Sequence, residues 1–257
     1  MLNSDKKIEF NRFEKRAKKL LQNKSNDFLN GSESMPEYLR PPYLFYEKSI
    51  HQLIKSSDNI LEIGSGVGLH THSLLKTGSN VIASDISKKS LEVLEQRFSK
   101  ASNLQTVVAD IENLPFSDNT FSVVICAGSL SYGKEVLVDS EIRRVLVPRG
   151  KFICVDSLNN NPIYRINRYF HYRKFERSKM TLENMPTVKR IKKLKKHFHI
   201  RELRFYGSIS YLMPLISKLS NDKIAKKISN FIDKIFKIKC SAFKFVLVAE
   251  LKNNNEK

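Results

Sequence analysis

Short apolar runs alternate with amphipathic stretches through the middle of the chain, and each run ends at polar residues or glycines. Five runs predict strands, at residues 59–63, 80–84, 104–109, 121–127 and 151–155. Three stretches between them predict helices, at residues 69–76, 88–98 and 135–146. Strands that are apolar on both faces and separated by helices are typical of a doubly wound parallel α/β sheet. Ligands of such sheets bind beyond the carboxyl ends of the strands, where the winding reverses.

Helical segments are predicted before this region and irregular ones after it. A charged amphipathic helix is predicted over residues 5–23, with its apolar positions at Ile8, Phe10, Phe13, Ala17, Leu20 and Leu21. Pro41-Pro42 begins a second helix that runs to about Ile54. We therefore divide the chain into a helical N-terminal cap at residues 1–58 and a binding domain at residues 59–257. The domain gains two further predicted strands, at Arg201–Tyr206 and Ala242–Leu251, and two basic insertions, at 157–200 and 207–240.

The net charge of +19 is concentrated in the C-terminal part of the chain. Residues 59–156 contain 10 Lys+Arg and 11 Asp+Glu, whereas residues 157–257 contain 24 and 7. This asymmetry predicts an anionic partner: a phosphorylated substrate, a membrane surface or a nucleic acid. No apolar run approaches the ~20 residues that span a bilayer. The charged N-terminus lacks the core of a signal peptide, so we expect a cytoplasmic protein.

The three cysteines lie in or beside apolar, strand-like runs. Cys126, Cys154 and Cys240 form no C-x-x-C motif and no cluster with histidines at metal-binding spacing. We therefore expect three reduced core thiols and no metal site.

A glycine-rich turn follows the first strand, in the sequence Glu62-Ile-Gly64-Ser65-Gly66-Val-Gly68. Glycines allow positive φ and a close ligand approach, and the N-terminus of the next helix offers free amide donors. A dinucleotide fingerprint, G-x-G-x-x-G, would need a glycine at position 69, where the chain has Leu69. Two acids, Asp85 and Asp110, close the next two strands.

This arrangement resembles motif I of class I S-adenosylmethionine (SAM)-dependent methyltransferases, small-molecule subgroup. The segments at 114–121 and 146–151 resemble two further signatures of that family, so the resemblance covers residues 59–156. It implies a Rossmann-like fold that is mostly parallel with an antiparallel last strand, and SAM as cofactor. It implies that Asp85 holds the ribose hydroxyls and that Asp110 and Ile111 contact the adenine. The full set of implied cofactor-binding residues is Glu62, Gly64, Ser65, Gly66, Gly68, Asp85, Ile86, Asp110, Ile111, Ala127 and Gly128.

The segment at 207–240 departs from the family, in which the last two strands usually form a near-direct hairpin. Its apolar residues recur at helical spacing and form one stripe: Ile224, Ile228, Phe231, Ile232, Ile235 and Phe236. Lysines occupy the other positions. A basic amphipathic helix at 222–238 fits a lid packed on the domain or a peripheral contact with a membrane surface, and we favour the lid.

A basic and aromatic block at residues 164–173 follows the fifth strand, where this fold places the methyl acceptor. We predict substrate contacts from Arg165, Arg168 and Tyr172, because arginines suit phosphate and aromatic rings suit sugars. The region also resembles methyltransferases encoded with bacterial surface-polysaccharide genes. That resemblance implies a sugar hydroxyl, on a small or carrier-linked anionic molecule, as acceptor.

An alcohol acceptor benefits from a base that takes its proton. His171, Asp156 and Tyr132 are the candidates, since all three fall near the expected site. His171 has the most suitable ordinary pKa, although it also fits a substrate-contacting histidine. Asp156 also fits a cap of the next turn. Arg40 and Tyr43 precede the domain and could close over the SAM carboxylate.

Three alternatives stay open. A methyltransferase of lipid quinones would suit the amphipathic segment, and a non-catalytic SAM-binding protein would suit the fold. An RNA methyltransferase would suit the charge. Pro41-Pro42-Tyr43 is similar to a motif of amino-methylating enzymes, but that motif belongs after the fourth strand, so we do not expect nucleic acid as partner.

Overall fold

The computed structural model describes residues 4–22, 31–174, 177–236, 239 and 241–253. The helices are α1 Ser4–Gln22, α2 Pro41–Leu53, α3 Thr71–Leu75, α4 Lys88–Arg97, α5 Glu135–Val145, α6 Pro162–Arg173, α7 Lys179–Glu183, α8 Val188–Leu194, α9 Met213–Leu219 and α10 Asp222–Phe236. The strands are β1 Asn59–Ile63, β2 Asn80–Asp85, β3 Leu104–Val108, β4 Phe121–Ala127, β5 Leu146–Ser157, β6 Phe198–Tyr206 and β7 Lys244–Leu251. Short 3-10 turns lie at Gly31–Ser34, Glu37–Leu39 and Leu130–Tyr132.

Within this described part, seven strands form one sheet in the order β3-β2-β1-β4-β5-β7-β6. Neighbours from β3 to β5 pair in parallel, and β7 runs antiparallel to both β5 and β6. The predicted fold class is therefore confirmed. Strand β6 begins at Phe198, three residues earlier than the sequence pattern indicated. The winding reverses between β1 and β4, which places the ligand cleft at their carboxyl ends.

Alternate residues of each central strand belong to different cores. On one face, Leu61, Val124 and Cys154 pack with Val138 of α5 and Ile191 of α8. On the other face, strand residues pack with a set from α2: Tyr43, Tyr46 and Ile50. Cys126 and Cys154 face each other in register as buried free thiols, while Cys240 lies outside the described residues. Apolar strands covered on both faces are the reason for the continuous apolar runs in the sequence.

The N-terminal helices are part of the same body as the sheet. Helix α2 lies against β5, β6 and β7, so the predicted N-terminal cap packs directly on the sheet of the domain. Helix α1 buries Ala17 as predicted, but its other buried positions are Lys6 and Glu9, while Ile8 is 40% exposed. The predicted apolar face is confirmed in the C-terminal half of the helix, where Ala17, Leu20 and Leu21 pack in one cluster with Val67 and Val93. Ile8 departs from it because the first turns of the helix place Lys6 and Glu9, rather than Ile8, toward the cleft.

The C-terminal insertion differs from the predicted lid that packs on the domain through its apolar stripe. Helix α10 packs through Ala225 and Ser229, both buried, and Asp233 accepts bonds from the backbone N–H groups of Gly207 and Ser208. The apolar stripe points away from this contact, with Phe231 63% exposed. A lid held down by that stripe is therefore wrong.

Candidate functional site

The glycine turn after β1 is closed by the carboxylate of Asp85. Asp85 Oδ2 accepts from the Gly66 N–H at 2.9 Å, and its Oδ1 accepts from the Ser87 N–H at 2.9 Å. Gly66 has φ +55, and a Cβ built there would meet no atom within 4 Å, so the turn borders open space. Burial raises the pKa of Asp85, which these backbone bonds counteract. The acid is thus fixed at the cleft beside a backbone that a ligand can approach closely.

Glu62 lies below this turn, fully buried at the end of β1. Its Oε2 accepts from the Thr71 hydroxyl at 2.6 Å. Burial raises the pKa of Glu62 to about 7, with the Thr71 bond acting in the opposite direction. A carboxyl group with a pKa near neutrality at the wall of a cleft would lose its proton when a cationic ligand binds beside it.

Asp110, at the third strand end, is paired with a lysine that sequence reasoning missed. Lys6 of α1 lies 2.5 Å from both Asp110 Oδ2 and Glu112 Oε2, and its side chain is 9% exposed. Burial lowers the pKa of Lys6, but bonds to the two carboxylates outweigh this and leave the pKa raised. The first helix is therefore tied electrostatically to the expected adenine end of the cleft.

Gly128 and Gly68, two other glycines of the expected cofactor set, have different surroundings. Gly128 has φ +78 and open space at its Cβ position, so it borders the cleft. Gly68 has φ +79, but a Cβ there would lie 2.8 Å from Phe98 and 3.0 Å from Leu94. Gly68 allows close packing of the turn on α4 and is not among the residues that line the cleft, so its cofactor contact stays a prediction.

The other ten residues of that set line one cavity of about 240 Å³ at the carboxyl ends of β1, β2 and β4. Further lining residues come from the helices before the sheet and from α3: Lys6, Glu9, Phe13, Arg16, Met35, Tyr43 and His70. The Ser65 hydroxyl is buried there without a hydrogen-bond partner among the described residues. A fixed carboxylate, open glycine backbone and an unsatisfied hydroxyl fit the ribose and amino-acid groups of SAM.

His70 is another cavity-lining residue that no sequence pattern indicated. Its ring stacks on Tyr43 with centroids 5.3 Å apart, and its buried Nδ1 makes no hydrogen bond within the described residues. Burial lowers the pKa of His70 to about 4, so the ring is neutral at neutral pH. Tyr43 lies where the sequence placed it, whereas Arg40 donates to the Met35 carbonyl at 2.7 Å and does not line the cavity.

A second cavity of about 510 Å³ meets the first at Gly128 and Tyr132, which line both. All three candidate bases lie in its wall: Tyr132, Asp156 and His171. Arginines and amides supply much of the remaining surface, from Arg12, Asn167, Arg168 and Arg177. The position next to the donor site and the polar lining make this cavity the candidate acceptor site.

Asp156 has the capping role, one of the two roles that the sequence left open. Its carboxylate accepts from the Ser157 N–H at 2.6 Å and from the Leu130 N–H at 3.0 Å, so it does cap the following turn. It also fixes the loop after β4. Burial raises the pKa of Asp156, while Lys244 and the backbone bonds act to lower it.

Arg168 faces inward from α6. Its Nη1 donates to the Leu158 carbonyl at 2.8 Å and to Asn159 Oδ1 at 2.9 Å. Its Nη2 is buried and has no hydrogen-bond partner in the described part of the chain. Burial lowers the pKa of Arg168 to about 10, which still leaves it charged at neutral pH. A buried guanidinium N–H without a partner would be satisfied by an anionic group.

Two other predicted substrate contacts are not brought to this cavity. Arg165 is exposed on α6 and, like Tyr172, does not line the cavity. Their places are taken by Arg12 and Arg177, which donate to the Tyr132 hydroxyl at 3.3 and 3.0 Å. Helix α1 contributes Lys6, Glu9 and Arg12 to the two cavities. Their recurrence at every third position is the only sequence signal that could have indicated this.

Parts of this chain are similar in sequence to known proteins. Residues 61–154 match the family model described as a methyltransferase domain. A demethylmenaquinone methyltransferase of Clavibacter sepedonicus is 32% identical over 116 residues, which cover 43% of this chain and 46% of that protein. An uncharacterized protein of Methanocaldococcus jannaschii is 29% identical over 228 residues, covering 80% and 89%. The chain spans less than half the length of the first curated relatives that it matches.

Solved structures share the fold at low identity. Phosphoethanolamine N-methyltransferase 2 of Haemonchus contortus, in complex with phosphomonomethylethanolamine and S-adenosylhomocysteine, superposes with a TM-score of 0.58 at 17% identity. The alignment covers 82% of this chain and 52% of that one. The likeness supports the Rossmann-like architecture of the whole chain.

Proposed function

We propose that this chain is a class I SAM-dependent methyltransferase with SAM as cofactor, which the match of residues 61–154 to a methyltransferase domain supports. We propose that the chain methylates a hydroxyl oxygen of a polar, negatively charged small or carrier-linked molecule. The specific acceptor that we propose is a sugar linked to phosphate, of the kind used to build surface polysaccharides. The observation that carries the proposal is the buried, unpaired Nη2 of Arg168 in the wall of the second cavity.

SAM supplies an activated methyl group, so the chain has to position the acceptor and to take up its proton. Bound SAM would give its methyl carbon to the acceptor oxygen, its sulfur keeping the electron pair of the carbon–sulfur bond, and the proton of the acceptor hydroxyl would pass to a base of this chain. We propose Asp156 as that base, because it lines the cavity and its raised pKa makes the ionised carboxylate a stronger proton acceptor. Tyr132, held by two arginines, would position the acceptor.

The test is a methyl-transfer assay with sugar nucleotides and with the same sugars lacking phosphate. Arg168→Ala should raise KM for the phosphorylated acceptor at least about tenfold, the lower range for loss of a charged hydrogen bond. Arg165→Ala is the matched control, since it removes the same charge from the exposed side of α6. Equal effects of the two variants, or equal turnover with and without phosphate, would contradict the proposal.

Asp156→Asn tests the base. We expect kcat to fall by about two orders of magnitude or more while SAM still binds in a calorimetric titration. His171→Ala is the comparison, because His171 lines the same cavity. A larger loss in His171→Ala than in Asp156→Asn would transfer the role of base to the histidine.

A lipid quinone is the second candidate acceptor. The match to a demethylmenaquinone methyltransferase favours it, whereas the arginine-rich lining of the second cavity favours a polar molecule. Including a demethylmenaquinone analogue in the assay separates the two. A salt-dependence measurement with RNA tests the nucleic-acid alternative, and SAM binding without turnover on any acceptor would favour a non-catalytic role.

A further inference from the structure

Three helices of the C-terminal part carry large apolar side chains on their outer surface. On α10 these are Ile224, Phe231 and Ile235, with exposures of 43, 63 and 53%. On α9, Leu215 and Leu219 are 58 and 79% exposed, and on α6, Ile166 and Phe170 are 58 and 59% exposed. We call these seven residues the outer apolar face. Large apolar side chains exposed in this number mark interaction surfaces rather than ordinary solvent-facing positions.

The apolar and basic residues of α10 are arranged as in an amphipathic helix that lies at an interface. At 100° per residue, Ile224, Phe231 and Ile235 fall within about 40° of one another. The packing side, with Ala225 and Ser229, lies roughly 100–140° around the helix, so the stripe does not contribute to the core. Exposed lysines flank the stripe on one side: Lys223, Lys227 and Lys234.

The three helices are joined at one place. The Tyr164 hydroxyl of α6 donates to the Gly207 carbonyl at 2.9 Å, just before α9. The Asn161 side chain at the start of α6 donates to the Ser241 carbonyl at 3.1 Å, after α10. Helices α9 and α10 pack on each other. The start of α6 therefore lies against both ends of the segment that carries α9 and α10.

We propose that the outer apolar face docks on an anionic lipid bilayer. Leucine, isoleucine and phenylalanine side chains would enter the headgroup boundary, and the flanking lysines would contact acidic headgroups. The charge of the region supports this occupant, since residues 157–257 hold 24 Lys+Arg against 7 Asp+Glu. Among the described residues no helix is long and apolar enough to cross a bilayer, so the contact is peripheral.

Helix α6 gives the docking a functional consequence. Its inward residues Tyr164, Asn167 and Arg168 line the acceptor cavity, while its outward residues belong to the docking face. A docked molecule would hold that cavity next to the bilayer, which suits an acceptor carried on a lipid. This consequence rests on the proposed function, whereas the docking itself does not.

The test is co-sedimentation of the full chain with vesicles of phosphatidylcholine alone and with roughly one third phosphatidylglycerol. We expect binding to the anionic vesicles and little binding to the neutral ones. Phe231→Ser with Ile235→Ser should lower the partition coefficient at least about tenfold. The matched control is Val136→Ser with Leu137→Ser on α5, where side chains 74 and 41% exposed lie away from the face.

Charge is tested separately. Changing Lys223, Lys227 and Lys234 to Gln should weaken binding on the order of a hundredfold, while the same change at the exposed α1 residues Lys7, Lys15 and Lys18 should have a much smaller effect. Unchanged SAM affinity in every variant verifies folding and keeps this result independent of methyl transfer.

Three outcomes would overturn the proposal. They are equal binding to neutral and anionic vesicles, no binding by the unaltered chain, and binding that the α10 variants leave intact. If sedimentation velocity instead shows a dimer that Phe231→Ser with Ile235→Ser dissociates, and vesicles are not bound, the face joins two copies of this chain.

Discussion

The segment at 59–156 and the segment at 157–253 differ in what they do with apolar residues. In the first, apolar side chains of β1, β2, β4 and β5 are buried on both sides of the sheet. In the second, α6, α9 and α10 leave isoleucine, leucine and phenylalanine side chains in solvent. Charge differs in the same way, since the first segment is nearly neutral and the second is strongly basic.

This difference separates two tasks. The first segment holds a cofactor, which requires fixed backbone geometry and few charges, each with defined partners. The second supplies most of the lining of the second cavity, the candidate acceptor site, and presents cationic and apolar groups at the surface. The two parts meet at Arg190, whose buried guanidinium donates to the Leu130 carbonyl and pairs with Asp139 of the first segment.

The largest expected effect concerns the connection between the two segments. Arg190 of α8 is 1% exposed; it pairs with Asp139 at 2.6 Å and donates to the Leu130 carbonyl at 3.1 Å. Arg190→Met leaves Asp139 largely buried without its cation, so we expect a loss of about 3–5 kcal/mol in the free energy of unfolding. Urea denaturation measures it.

The matched control is Lys193→Met on the same helix. Lys193 forms an exposed pair with Glu135 at 2.7 Å, so its loss should cost no more than about 1 kcal/mol. Similar losses for the two variants would mean that the buried pair does not hold the segments together.

The second effect concerns cofactor binding by the first segment alone. Asp85→Ala removes the carboxylate that closes the glycine turn, and we expect SAM affinity to fall by roughly ten- to hundredfold, as for a charged hydrogen bond. Arg168→Ala in the second segment should leave SAM affinity unchanged. Calorimetric titration compares them, with Asp118→Ala, a 68% exposed acid, as control. Loss of SAM binding in Arg168→Ala would show that the two tasks are not separable.

A pH dependence should follow from Glu62, whose pKa is about 7 in the free protein. The sulfonium and amino groups of SAM favour the ionised carboxylate, so binding below pH 7 requires release of a proton. SAM affinity should therefore rise from pH 6 to pH 8, by at most about tenfold per pH unit below 7. Titrations in buffers of different ionisation enthalpy count the proton.

Glu62→Gln should make the affinity independent of pH in that interval. A pH dependence retained in this variant would assign the titration to another group.

The smallest effect tests a departure from the family pattern in the turn before the core of β5. Arg149 stands where the related motif has glycine, and it adopts φ +62. Arg149→Gly removes a strained left-handed conformation, so we expect a gain of up to about 1 kcal/mol in stability. Its exposed pair with Glu250 contributes little, because Arg201 also pairs with that acid.

Asn119→Gly is the control for this turn. Asn119 has φ +53, but asparagine tolerates the left-handed region, so the gain should be smaller. Thermal denaturation compares the two, and an equal or larger gain at Asn119 would argue against strain at Arg149.

Local patterns in the chain determined the strands, the glycine turn and the acids at the strand ends. Apolar runs and glycine spacing report the backbone conformation of a few neighbouring residues, so Gly66, Asp85 and Asp110 could be placed at one cleft without coordinates. The same patterns gave the resemblance to SAM-dependent methyltransferases, and residues 61–154 match a methyltransferase domain.

Only the tertiary structure decided which sides of the outer helices are buried. The stripe on α10 satisfies the helical period equally well as a core face or as a surface, and long-range packing through Ala225 and Ser229 made it a surface. Likewise, the acceptor cavity joins Arg12, Asp156 and Arg168, which are far apart in the chain. Periodicity describes a helix on its own, whereas burial depends on what the rest of the chain places against it.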